Sequence, residues 1–212
     1  MSRTALVTGA NRGLGEAIAA ALRARDWQVV SSSRDGSVGV ALDVTDAESI
    51  SRAHKDIGPV DALVNNAGVL LDGGSDPLST SLDAVRATFE VNVLGTWRVC
   101  QEFLPEMVRR GWGRVVIMSS GTGSFTNGLF LGTPGYSVSK TALNGLTTML
   151  AAQVAGSGVL VNAINPGPTR TRMMPKAAQS AAEAAEHVAD AVDLPADGPS
   201  GVFLRNGAVA GW

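Results

Sequence analysis

The chain has 212 residues, 45% of them apolar and 17% charged, with a net charge of −2 at pH 7. That apolar share can fill a core, and the charged share lies below the roughly 25% of an average soluble protein, which argues against disorder. A single cysteine, two histidines far apart and no basic run exclude a disulfide or thiolate metal cluster, a zinc set at recognisable spacing, and an electrostatic grip on nucleic acid or membrane.

The predicted elements alternate along the chain. Ala5–Val7 reads as a short buried strand, and Gly13–Arg25 as a helix with Leu14, Ile18, Ala21 and Leu22 on one face. Strands follow at Trp27–Val30 and Val38–Leu42. Asp46 caps a helix that runs to Ile57, where Gly58-Pro59 stops it. Val60–Val64 is the fourth strand, Leu82–Arg110 a long helical region and Arg114–Met118 the fifth strand. Ser137–Gly156 is a helix, Val159–Ile164 a strand, Ala177–Ala191 a helix and Gly201–Leu204 a last short strand. Strands of continuous apolar residues are buried on both faces, as in parallel sheets. The pattern predicts one α/β domain over residues 1–212. Its fold is a doubly wound Rossmann fold with a mostly parallel sheet of six to seven strands. Such sheets bind ligands at the carboxyl ends of their strands. Met1-Ser2-Arg3-Thr4 leads straight into an apolar run, leaving no room for a signal peptide, and no apolar stretch is long enough to span a bilayer. The expectation is a cytoplasmic protein.

The loop after the first strand is Thr8-Gly9-Ala10-Asn11-Arg12-Gly13-Leu14-Gly15. Gly9 would let the chain turn off the strand, Gly13 would admit a pyrophosphate to the backbone, and Gly15 would let the helix pack closely. The helix N-terminus then presents free N–H groups and a positive dipole end to an anion. Tyr136 is the only tyrosine, and Lys140, one of three lysines, follows at helical i,i+4 spacing. A neighbouring ammonium favours the phenolate, so the pair is expected to lower the phenol below its usual value near 10 and trade a proton with an alcohol or ketone.

With Asn65-Asn66-Ala67-Gly68, Asn92, Ser120 and Pro166-Gly167, these motifs stand in the order of the short-chain dehydrogenase/reductase family. The chain resembles its carbonyl-reductase and ketoreductase members over nearly its whole length. The resemblance implies NADP(H) as cofactor, a small carbonyl or alcohol substrate and a homodimer or homotetramer. It implies catalytic roles for four residues. Tyr136 would be the general acid or base, Lys140 its partner and ribose ligand, and Ser120 the donor to the substrate carbonyl. Asn92 would hold a water that links Lys140 to solvent. Ser119 is the rival to Ser120. Cofactor contacts would come from Gly9, Asn11, Arg12, Gly13, Leu14 and Gly15, from Asp43 and Val44 beside the adenine, and from Asn66, Ala67 and Gly68. Pro166, Gly167, Thr169 and Thr171 would line the nicotinamide. Thr169 departs from the valine usual there.

The dinucleotide is read at the end of strand two. Ser33 stands where an acid would hold both ribose hydroxyls, and Arg34 follows. Arg34 and Arg12 could flank a 2′-phosphate, unless Asp35 pairs with Arg34. Three further features depart from the family pattern. The stretch between Arg34 and Val44 is too short for the usual helix between strands two and three. Phe125–Pro134 is an insert that could wall the substrate pocket or plug the core. The lid between Arg172 and Glu183 is short. Cys100, His54, His187 and Trp112 read as structural, and Trp97 as packing or a subunit contact. Pro105 reads as a helix kink. Ala142, Leu143, Leu146, Met149 and Leu150 offer more apolar surface than one sheet face needs, consistent with self-association. The other readings are a nucleotide-sensing protein without turnover, and an epimerase or dehydratase that retains its nicotinamide.

Overall fold

The structure is a computed structural model that describes residues 3–212, so the Met1-Ser2 start lies outside the described residues. Its centre is one eight-stranded sheet in the order β3-β2-β1-β4-β5-β6-β7-β8. The strands are β1 Thr4–Val7, β2 Gln28–Ser33, β3 Val40–Ala41, β4 Ala62–Asn65, β5 Gly113–Met118, β6 Val159–Asn165, β7 Phe203–Arg205 and β8 Ala208–Ala210. All neighbours are parallel except β7 and β8. The order reverses between β1 and β4, which opens a crevice at their carboxyl ends.

Period-two alternation sends successive strand residues to opposite faces. Leu6, Leu63, Val115, Ile117 and Val161 face one layer, made of α2 (Ala47–Ile57), α4 (Thr96–Arg110) and α5 (Pro134–Gln153). Val7, Val64, Val116 and Ile164 face the other, made of α1 (Gly13–Ala24) and α6 (Ala181–Val192). β5 and β6 are buried at every position, which explains their mostly apolar runs, and the buried Arg114 and Asn162 side chains donate to the Leu194 and Pro199 carbonyls.

The predicted strand count falls one short. β8 pairs with β7 across Asn206-Gly207, both at positive φ, the residue pair that a tight hairpin turn favours. The predicted helix over Leu82–Arg110 is three pieces: α3 (Leu82–Phe89), a π-helical segment (Glu90–Gly95) and α4, through which Pro105 passes without ending the helix. α6 starts at Ala181, not 177, because Ser180 and Glu183 form a reciprocal capping box there. α5 begins at Pro134, so Tyr136 lies inside its first turn rather than ahead of it. The missing helix between β2 and β3 is indeed missing. A six-residue link, 34–39, replaces it and leaves a groove of about 470 Å³ lined by Glu16, Ala19, Arg23, Val29 and Val38 among others.

Candidate active site

Three loops at the carboxyl ends of β1, β4 and β2 are stitched together. The Thr8 hydroxyl accepts from the backbone N–H groups of Asn66 and Ala67, both at 3.0 Å. The Asn66 amide donates to the Thr8 carbonyl at 2.9 Å and the Gly9 carbonyl at 3.1 Å. The Ala10 N–H donates to the Ser32 carbonyl at 2.8 Å. Gly9 turns the chain at φ 63, and a side chain on Gly15 would stand 2.4 Å from both Asn66 Nδ2 and the Gly9 carbonyl oxygen. Arg12, at the N-cap of α1, makes no side-chain cap, so the leading amides of α1 remain available. The open amides and the glycine cradle fit a phosphate-bearing dinucleotide. Gly68 stands beside the candidate catalytic residues, a Cβ there lying 3.8 Å from Lys140 Nζ; Leu14 packs against the core beneath α1, and Asn11 and Gly13 belong to the rim of the glycine loop. Thr171 reaches it from the other side, with its methyl 3.6 Å from where a Gly13 Cβ would stand.

At the end of β2 the Ser33 hydroxyl is turned inward. It shares a hydrogen bond with Ser37 at 3.3 Å and accepts from the Val38 N–H at 3.3 Å, so it holds the short link together. Asp35 does not pair with Arg34. Its carboxylate accepts from the Ser37 N–H at 3.1 Å, and Ser37 holds it down near about 2. Arg34 and Arg12 are exposed, and neither forms an ion pair among the described residues. Asp43 folds back on Thr45, accepting from its N–H at 2.9 Å and its hydroxyl at 2.7 Å. Val44 packs against Gly95 in the π-helical segment.

Tyr136, Lys140, Ser120 and Asn92 converge beneath this rim. Tyr136 is half-buried, and burial pushes its phenol up to about 12, with the Ser120 hydroxyl pulling the other way. Lys140 is buried, and burial alone pulls its ammonium down to about 8. Its Nζ lies 5.3 Å from the Tyr136 ring centre and donates to the Met118 carbonyl at 2.7 Å. The expected lowering of the phenol is therefore not present in the protein alone. Desolvation of both groups outweighs their mutual attraction, and the ammonium is aimed at a carbonyl. Ser119 is ruled out as a free hydroxyl because it donates to Asn144 Oδ1 at 2.6 Å and is 3% exposed. Ser120 is half-buried, and its oxygen accepts from the Thr122 N–H and hydroxyl at 3.2 and 3.0 Å.

Asn92 sits in the π-helical segment and is fully buried. Its Oδ1 accepts from the Val69 N–H at 2.8 Å, and its amide donates to the Val69 carbonyl and the Ser139 hydroxyl, both at 3.0 Å. Ser139 in turn donates to the Tyr136 carbonyl at 2.7 Å. Sequence reading missed Val69 and Ser139. Val69 acts through its backbone, which carries no side-chain signal, whereas Ser139 is a polar residue on the buried face of α5 beside Tyr136.

Beyond β6, Asn165 Oδ1 accepts from the Gly167 N–H at 3.0 Å, which bends the chain at Pro166. The Thr169 hydroxyl donates to the Gly167 carbonyl at 3.1 Å, and Thr169 bridges to Gln179, which closes the short lid. The insert does not plug the core: Phe125, Phe130 and Leu131 are 70%, 57% and 67% exposed. On α5, Leu143 and Leu146 serve this chain's own core, and Met149 faces out. Among the described residues no cluster of His, Cys, Asp and Glu could hold a metal ion, and no helix is long and apolar enough to cross a membrane.

The glycine loop and the Tyr136, Lys140 and Ser120 cluster lie at the carboxyl ends of the strands of a doubly wound sheet. Residues 3–182 match the family described as short chain dehydrogenase, and the chain belongs to that family. It is 36% identical to the oxidoreductase UcpA of Salmonella typhimurium over 190 residues, covering 81% of this chain and 71% of that protein. It is 34% identical to the acetoacetyl-CoA reductase of Shinella zoogloeoides, covering 82% and 77%. Among solved structures, ElxO with NADP bound superposes with a TM-score of 0.87 at 24% identity over 97% of both chains, which is a likeness of fold.

Proposed function

We propose that the protein is an NADP(H)-dependent reductase or dehydrogenase that interconverts a carbonyl compound and its alcohol, with the whole chain as one domain. The observation that carries this reading is the placement of Tyr136, Lys140 and Ser120 together beneath the glycine loop. The open amides of α1 and Gly9–Gly15 would hold the pyrophosphate. Arg12 and Arg34 would clasp the 2′-phosphate, a bidentate task suited to guanidinium groups. Asp43, Val44 and Asn66–Gly68 would border the adenosine, and Pro166, Gly167, Thr169 and Thr171 the nicotinamide. The bound cofactor would supply or accept the hydride.

The protein's part is the proton and the orientation. Tyr136, protonated at every ordinary pH because of its burial, donates from its hydroxyl to the carbonyl oxygen in reduction. Ser120 donates a second hydrogen bond to that oxygen and steadies its growing charge. Lys140, whose ammonium loses its proton near pH 8, passes protons toward the tyrosine. The side-chain amide of Asn92 is spent on Val69 and Ser139. Any water on the relay would therefore be held by a backbone carbonyl that the π-helical turn releases. The substrate enters past Leu71, Phe130, Leu131, Met173 and Met174, all more than half exposed on the loops after β4, β5 and β6. That rim favours a ketone or aldehyde with an apolar body. Loss of NADPH absorbance on a panel of apolar and charged ketones tests the reading. Turnover of apolar members supports it, and no turnover across the panel, or copurified cofactor with no net consumption, refutes it.

A further inference from the structure

A buried carboxylate that the proposed chemistry does not use grips the first turn of the helix that carries Tyr136. Asp72 lies in the loop after β4 and is 3% exposed. Its Oδ2 accepts from the Gly135 N–H, and both its oxygens stand 3.3 Å from the Tyr136 nitrogen. Those are the second and third residues of α5, whose amides have no partner within the helix. The local candidate for the task is occupied elsewhere. Thr133, at the N-cap, makes no side-chain cap and shares a hydrogen bond with the Ser137 hydroxyl at 3.2 Å. A side chain 63 residues upstream thus does what an N-cap normally does.

No ion pair among the described residues includes Asp72. The carboxylate is met by amides and by the positive end of a 20-residue helix. Gly135 leaves it room. A Cβ there would stand 3.1 Å from Asp72 Oδ2 and 2.9 Å from Val85. The same β4 loop carries Asn66 at the glycine loop and Val69 in the grip of Asn92.

We propose that Asp72 is a positioning residue that fixes the Tyr136 backbone against the loop bordering the dinucleotide, and so sets the reach of the phenol to the reacting carbonyl. The proposal rests on Tyr136 as the proton donor. Small misplacements of a catalytic group cost up to about a hundredfold in rate. Asp72→Asn and Asp72→Ala should therefore lower kcat by about 10- to 100-fold. NADPH affinity, read by its fluorescence, should stay close to wild type, because the glycine loop is untouched.

One further variant and one measurement separate positioning from simple capping. Thr133→Asp in the Asp72→Ala background supplies a local cap without the link to the β4 loop. It should restore the melting temperature and leave kcat low. Hydrogen exchange at the Gly135 and Tyr136 amides, which needs no turnover, should quicken about tenfold or more in Asp72→Asn, with β5 and β6 unchanged. If Asp72→Ala does not fold, Asp72→Asn carries the kinetic arm. Wild-type kcat in Asp72→Asn, kcat returning together with the melting temperature in the double variant, or unchanged amide exchange overturns the assignment. A wild type that reduces no carbonyl overturns the functional reading instead, and the exchange arm still decides whether Asp72 holds the turn.

Discussion

Gly15→Ala probes the stitching beneath the candidate cofactor site. The new methyl would stand 2.4 Å from Asn66 Nδ2 and from the Gly9 carbonyl oxygen, and 3.1 Å from Ala10 Cα. Two of these three neighbours are backbone, so the methyl cannot be absorbed by turning one side chain. The Asn66 amide must leave, which breaks its hydrogen bonds to the Thr8 and Gly9 carbonyls. Two such bonds contribute about 1–3 kcal/mol together, and overpacking adds about 1–3 kcal/mol. The better helix propensity of alanine returns about 1 kcal/mol. The net loss is about 1–5 kcal/mol, or about 3–15 °C of melting temperature at this chain length. Thermal unfolding without cofactor reads the loss directly, and NADPH titration should show weakened binding besides. Asn66→Ala, which removes the bonds without the crowding, should lose less stability than Gly15→Ala. A Gly15→Ala protein that melts with the wild type and binds NADPH equally well would show that the loop is not packed as described.

Arg34→Ala should raise KM for NADPH about 10- to 100-fold, the worth of a charge-assisted contact, and leave KM for NADH nearly unchanged; wild-type kcat/KM equal or better with NADH would defeat the 2′-phosphate reading. Lys140, lowered by burial from 10.5 to about 8, loses its proton in the fold before it does in the unfolded chain, so its contribution to stability rises with pH between those values. The proton relay weakens over the same range: kcat/KM for reduction should be level below about pH 8 and fall above it, and a flat profile through pH 10 would contradict the relay. Leu94, Trp97, Val138 and Met149 stand exposed along α4, α5 and the π-helical segment, so light scattering should return a multiple of the single-chain mass; the single-chain mass would exclude the oligomer.

The fold was legible because β1, β4, β5 and β6 are largely buried on both faces and carry mostly apolar runs, with a capping residue or glycine at several helix ends, Asp46, Gly58, Ser81, Gly111 and Ser180 among them. Local hydrogen bonding decided the rest. The π-helical segment at Asn92 has no residue pattern of its own and depends on the amide gripping Val69 from another loop. β8 is too short to carry an apolar run of its own and is marked only by the Asn206-Gly207 turn before it. In the site, the spacing of Tyr136 and Lys140 and the glycine loop could be read directly. The direction of the tyrosine shift could not, because it turns on burial, which a one-dimensional pattern does not reveal. The inward turn of the Ser33 hydroxyl toward Ser37 and Val38 has no sequence signal, since it depends on the short link after β2. Asp72 gave no signal, since its partners are backbone amides more than sixty residues away.

The central claim is that Tyr136 delivers the proton. Tyr136→Phe keeps the ring and removes the hydroxyl, so NADPH should bind with near wild-type affinity while kcat for reduction of an apolar ketone falls at least about 10²-fold, toward 10⁴-fold. Single-turnover reduction by the two proteins, each saturated with NADPH, measures this without interference from product release. A Tyr136→Phe protein that reduces the ketone at the wild-type rate would contradict the account.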